Sequence, residues 1–227
     1  MELNPLIKKR EGVWRLMVRV RKNQMGKRED IIFEGFKFFP VIKLPKDYEV
    51  FDFTQDYDPN RKLNGLYGVG KFNEERPTMY ESDQYKTESE PRTVHMGIDI
   101  AAPVGESIHA FYDGEVYSFG YNSLPLDYGH TLITKHLLND THLYVLHGHL
   151  SAESIIEKKP GQKFNKGDVI GWVGDRHENG GWNPHLHFQL SLQEPQGYDL
   201  PGVIAPSQRP HYLKIFLDPQ LVLGKLY

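Results

Sequence analysis

The sequence predicts a mainly β fold, an antiparallel and sandwich-like sheet core with few short helices. Three observations carry this. Beyond residue 95 the apolar residues recur at alternate positions in short runs, clusters of Gly, Asp, Asn and Pro separate those runs, and a single segment has helical character. Such spacing describes antiparallel strands rather than a βαβ array.

In chain order, Trp14, Leu16, Val18 and Val20 alternate with Arg15, Met17, Arg19 and Arg21, which predicts a half-buried strand; residues 23–26 suit a turn and residues 31–39 the return strand. Pro40 and Pro45 then interrupt pairing. Residues 52–62 are polar and read as loop or linker, so the chain divides into a strand-rich N-terminal extension, 1–62, and a second unit, 63–227. Residues 63–94 are rich in glycine, tyrosine and charge. A loop there would wall a groove, with Arg76 or Arg92 meeting a substrate carboxylate or forming surface salt bridges.

Strands are predicted at 107–112, 115–119, 131–136, 141–146, 169–173 and 185–192. Asp113-Gly114 is a hairpin signal and Lys166-Gly167-Asp168 a turn. Residues 151–157 form the predicted helix, capped by Ser151 or Ser154. The polar loop 175–184 delivers the chain into the last strand and offers Trp182 and Asn183 to a groove. The tail beyond Gln193 contains five prolines and the apolar stretch 213–223, and is expected to wrap back over the sheet.

At 227 residues the chain suffices for one substantial core with a small appendage. A net charge of -3 and a pI near 6.4 argue against nucleic-acid binding. The local basic residues Lys8, Lys9, Arg10, Arg15, Arg19, Arg21 and Lys22 read as a solvated hairpin face. Cysteine is absent, which excludes a disulfide scaffold and a thiol nucleophile. The first ten residues lack the apolar stretch of a secretory signal and no run approaches a membrane span, so the chain as written is expected in the cytosol.

Three phrases carry the chemistry: His95-Met96-Gly97-Ile98-Asp99, His147-Gly148-His149 and His185-Leu186-His187. Together they hold five of the eleven histidines and one carboxylate, the inventory of a zinc site that activates water. Gly97, Ile98, Ile100 and Pro103 disfavour a helix for the first phrase. On a straight strand positions four apart lie roughly 13 Å from each other, too far for two ligands of one ion. The backbone must therefore bend, and Gly97 is the residue that permits it. In the third phrase Leu186, Phe188, Leu190 and Leu192 alternate with His185, His187, Gln189 and Ser191, so both imidazoles share a face about 6.6 Å apart. His147 and His149 repeat that spacing. His109, His130 and His136 fall in alternating segments and read as structural.

These phrases, in this order, resemble the LytM/lysostaphin family of zinc metallopeptidases, peptidase family M23. The resemblance extends over Ala110-Phe111-Tyr112-Asp113-Gly114-Glu115-Val116, Tyr128-Gly129, Gly148-His149-Leu150-Ser151, Gly167-Asp168 and Pro184-His185-Leu186-His187-Phe188, and covers roughly residues 90–192. It implies a β-sheet core of the LytM type and one Zn2+ ion held by His95, Asp99 and His187, with a fourth place for water. It further implies that His149 and His185 are the unligated catalytic pair, acting on a peptide or peptidoglycan-derived substrate. His147 stands where the family has an aromatic or small residue, and is expected to fill space. A noncatalytic wall-binding or enzyme-activating module is the alternative, although this chain keeps every ligand of the pattern.

Overall fold

The computed structural model describes residues 32–55, 57–58, 60, 66–80, 82–86 and 90–227. The strand expected at 14–21 and its turn at 23–26 lie outside them. Contacts divide the chain into a unit of residues 1–36 and a unit of residues 37–227. In the first, residues 32–33 are helical and residues 34–35 turn, with Phe36 N–H donating to the Phe33 carbonyl at 3.4 Å. The expected return strand over 31–39 is therefore absent from its described part. In the second unit, residues 37–39 are irregular and anchor through rings instead: Phe38 meets Phe111 edge-on at 5.4 Å, and Phe39 packs on His109 at 5.3 Å.

The second unit is mainly β. Its strands are β1 (Glu49–Val50), β2 (Gly68–Gly70), β3 (Val94–His95), β4 (Ile98–Ala101), β5 (Ser107–His109), β6 (Gly114–Asn122), β7 (Gly129–Leu138), β8 (Thr141–Leu150), β9 (Lys163–Phe164), β10 (Val169–Trp172), β11 (His185–Ser191), β12 (Val203–Ile204) and β13 (Phe216–Leu217). Short helices α1 (Glu153–Ile156), α2 (Arg209–Tyr212) and α3 (Gln220–Leu223) complete it. Among the described residues the main sheet runs β1-β2-β4-β11-β8-β7-β6-β9, with β13 joined to β11. Its pairs are antiparallel except β1 with β2. Asp113-Gly114 turns the chain but joins no hairpin, because β5 pairs with β10 in a separate ribbon while β6 pairs with β7 and β9.

Both faces of the central strands are covered, since β8 is buried continuously over residues 143–150 and β11 over residues 186–191. On one face Val94, Met96, Ile133, Tyr144 and Leu146 pack with Leu200, Ile204 and Phe216 from the tail, which does wrap back. On the other, Phe111 lies against Phe188 and His136 at 6.2 and 4.3 Å. Helix α1 is shorter than predicted and neither serine caps it: Ala152 holds the N-cap, while the Ser151 and Ser154 hydroxyls contact each other at 3.1 Å. No helix among the described residues is long and apolar enough to cross a membrane.

Candidate metal centre and catalytic groove

Register places the central residues. Across three adjacent strands Asp99 on β4 pairs with His187 on β11, and His187 pairs with Gly148 on β8. Directly paired residues project to one face, so Asp99 and His187 meet without any loop between them. His95 arrives from β3, which leaves the main sheet to pair with β12. The chain does bend between them, at Met96 and Gly97. Gly97 serves less by rotation than by room, since a Cβ there would stand 2.5 Å from the Cε1 of His187.

His95 Nε2, Asp99 Oδ1 and His187 Nδ1 form a triangle with edges of 3.0, 3.1 and 3.2 Å. Donors held about 2.0–2.1 Å from a tetrahedral zinc stand about 3.3–3.4 Å apart, close to this spacing. Hydrogen bonding on the outer side of each ring sharpens the fit. His95 Nδ1 faces the Lys71 carbonyl at 2.9 Å and must be its donor, which leaves Nε2 as a lone pair. The Gln189 amide donates to the Pro201 carbonyl at 3.2 Å, so its oxygen faces His187 Nε2 at 2.9 Å and that nitrogen carries the proton. Two lone pairs and a carboxylate oxygen thus converge with no hydrogen among them. That arrangement is repulsive by itself and suits a cation.

Asp99 is held from behind as well. Its Oδ2 accepts from Arg76 at 2.7 Å, while Arg76 also donates to Glu74 at 3.0 Å and Tyr80 at 3.1 Å. The guanidinium is 1% exposed and lies over the Phe53 ring. Arg76 therefore neither decorates the surface nor waits for a substrate carboxylate, the two readings the sequence offered. Burial works to raise the Asp99 pKa, but the Arg76 guanidinium against its outer oxygen opposes this and helps hold the carboxyl well below its usual range. Burial, with Arg76 nearby, pushes His95 down to about 4.

His149 and His185 stand beside the triangle with their rings 4.2 Å apart. On a regular strand His149 would follow Gly148 to the opposite face. A bulge on β8, where Gly148 and His149 together lie opposite the single residue Thr131 of β7, with His149 itself at φ +63°, turns it back toward His187. Left-handed backbone at a non-glycine residue is costly and concentrates at functional positions. His147 does not share that side: it pairs with Phe188, packs on its ring at 5.4 Å and is 1% exposed, so the common face expected for the two residues is corrected by the bulge.

One loop orients the pair. His149 Nδ1 donates to the Asn179 carbonyl at 2.8 Å and His185 Nδ1 to the Asn183 carbonyl at 2.6 Å, so both Nε2 atoms are lone pairs. Burial, with His185 and His187 nearby, holds His149 well below its usual pKa, and burial likewise lowers His185. Both stay neutral at pH 7 and able to accept a proton. The side chain of Asn179, fully buried, clamps this loop through Gly174 O, Trp182 O, Gly181 N and Trp182 N. Tyr128 closes the wall, its ring 5.1 Å from His187 and its hydroxyl donating to Leu200 O at 3.1 Å.

Residues 93–198 match the model of peptidase family M23. This stretch belongs to that family. The M23 stretch is 34% identical over 99 residues to "DD-carboxypeptidase/endopeptidase Mpg" of Neisseria meningitidis serogroup B, covering 44% of this chain and 20% of the relative. It is 31% identical over 116 residues to "Peptidoglycan DD-endopeptidase ShyC" of Vibrio cholerae serotype O1, covering 47% and 23%. The match thus spans about a fifth of the length of these curated relatives. Among solved structures, the catalytic domain of lysostaphin from Staphylococcus simulans is 23% identical, covering 59% of this chain and 81% of that one at a TM-score of 0.40.

All five histidine and aspartate positions that the sequence analysis singled out for the site lie within the M23 stretch; Lys71 and Arg76, which brace them, lie before it. Sequence reasoning missed Lys71, Gln189 and Asn179, and it named Arg76 but gave it a substrate or surface role. Gln189 was within reach, since it shares the His187 face of an alternating strand. Arg76 carried no comparable signal.

Proposed function

We propose that this chain is a zinc-dependent metalloendopeptidase that hydrolyses a peptide bond in peptidoglycan-type or glycine-rich peptides, with His95, Asp99 and His187 as ligands and His149 and His185 as the catalytic pair. The observation that supports it best is the hydrogen-free triangle of two imidazole lone pairs and a carboxylate oxygen. Membership of the M23 family supports the peptidase class, and the names of the two curated relatives support the peptidoglycan-type substrate.

Bound zinc supplies Lewis acidity, polarising a carbonyl and bringing the pKa of water down to about 7. The chain's own residues do the rest. His149, held through its Nδ1–H by the Asn179 carbonyl, presents Nε2 as a neutral base that takes a proton from water entering the groove. The proton His149 takes is the one the leaving amine receives, returned by His149 directly or by way of His185 Nε2, whose ring lies 4.2 Å from it and which, while it carries that proton, also donates to the developing oxyanion. Arg76 engages the outer oxygen of Asp99 and so directs a single oxygen inward. Acid-base assistance of this kind is worth roughly 10² to 10⁴ in rate.

The test is a panel of muropeptides and glycine-rich peptides read by mass spectrometry, alongside metal analysis of two variants. Asp99→Ala is expected to lose zinc and activity together, whereas His149→Ala retains zinc and loses turnover. Zinc loss from His149→Ala overturns the division of roles. Stimulation of a partner enzyme without zinc favours the noncatalytic module.

A further inference from the structure

The ligand triangle sits on the seam of two cavities. The first, about 390 Å3, holds all three ligand residues and has Gln84, Arg92, Asp127 and Asp199 among its lining. The second, about 270 Å3, is walled mainly by Phe51, Phe53, Leu66, Met79, Ala102 and Trp182, with Asp58 also on its lining. Asp99, His185, Met79 and Trp182 line both, so an extended peptide crossing the triangle would place its flanking residues on opposite sides. We propose that the second cavity is a substrate subsite for an apolar side chain, on the residue flanking the scissile bond on that side, and that it disfavours glycine there. This rests on the peptidase reading above.

Ring contacts make the wall continuous. Phe51 meets Phe53 at 5.2 Å, Phe53 meets Tyr57 at 6.0 Å, Tyr57 meets Trp182 at 6.2 Å, and Trp182 reaches the His149 ring at 6.3 Å. The wall is also fixed beforehand. Phe51 N–H donates to Val69 O at 2.8 Å, Phe53 N–H to Glu74 Oε1 at 3.3 Å, and the Trp182 indole to Asp127 O at 3.2 Å. A preformed apolar cavity gains from displacing water with hydrocarbon and rejects an uncompensated charge. Glycine offers nothing to fill it. Phe51, Phe53, Leu66 and Met79 all precede the M23 stretch, so this selectivity belongs to the chain's own N-terminal flank.

Two readouts keep subsite and reaction apart. In the first, full-length zinc-loaded protein is titrated with leucine hydroxamate and with glycine hydroxamate, and binding is followed at the Trp182 indole N–H by NMR. The leucine compound is expected to bind about tenfold to a hundredfold more tightly, the range a hydrophobic pocket gives for a few methylenes. In the second, matched peptides carrying Gly, Ala or Leu at each position flanking the cleaved bond, in L and D series, are compared by kcat/KM. The order Leu and Ala above Gly is expected on one side only. Leu66→Ser, at a residue 69% exposed and remote from the fold's interior, should shrink the leucine preference several-fold, and Ala102→Leu should shift it toward glycine. Equal binding of the two hydroxamates, or a preference for glycine, overturns the subsite. Tighter leucine binding with no peptide cleaved leaves the subsite standing and removes the peptidase reading.

Discussion

Replacing His147 by leucine should flatten the acid limb of the stability curve. Its Nδ1 donates to the Leu132 carbonyl at 3.2 Å, while Nε2 is buried with no hydrogen-bond partner among the described residues. Burial pushes its pKa from 6.5 down to about 3, against the opposing pull of the Leu132 hydrogen bond. In the unfolded chain the ring takes a proton below pH 6.5, and in the folded chain it does so only near pH 3. The unfolded state therefore binds more protons throughout that window. Stability contributed by the neutral ring is complete above pH 6.5 and drains away as pH falls to 3. At pH 4.5 the loss from this one residue is roughly 2–3 kcal/mol. Urea titrations of wild type and His147→Leu at pH 7.5 and pH 4.5 give the difference of differences, in which any packing change of leucine cancels. The variant should gain roughly 2–3 kcal/mol on wild type between the two pH values. A change below about 0.5 kcal/mol, smaller than ordinary non-additivity, refutes the account of a ring kept neutral by burial.

Other perturbations follow from the same geometry. Asn179→Ala removes four hydrogen bonds inside a buried loop and frees the carbonyl that orients His149. Zinc content should hold while kcat falls roughly tenfold to a hundredfold, and long-range 1H–15N NMR should show His149 losing its single tautomer; an unchanged tautomer refutes the role. Gln189→Leu withdraws the acceptor from His187 Nε2 and should weaken zinc binding about 10- to 100-fold in chelator competition. Arg76→Met leaves Glu74 Oε2 and the buried outer oxygen of Asp99 without their counter-charge, while Lys71 and the Phe53 N–H stay on Glu74 Oε1, with an expected destabilisation of roughly 3 kcal/mol in the metal-free protein, read by denaturant unfolding.

Alternation alone determined a great deal here. The period of two in 185–192 set His185 and His187 on one face, as the groove requires, and glycine with β-branched neighbours around residue 97 excluded a helix and demanded a bend. Family resemblance rested on the same short phrases. What alternation could not supply is anything that depends on a partner distant along the chain. Register between β4, β11 and β8 brings Asp99, His187 and Gly148 into one row, and a bulge paired from β7 sends His149 inward and leaves His147 in the core. Identical two-residue spacing gave opposite outcomes in the two histidine pairs, because φ at one residue is fixed by neighbouring strands and not by local sequence. Arg76, Lys71 and the aromatic flank became legible only in three dimensions. Their worth lies in a buried charge meeting its counter-charge and in rings closing one wall, relations between residues that are far apart in order and adjacent in space.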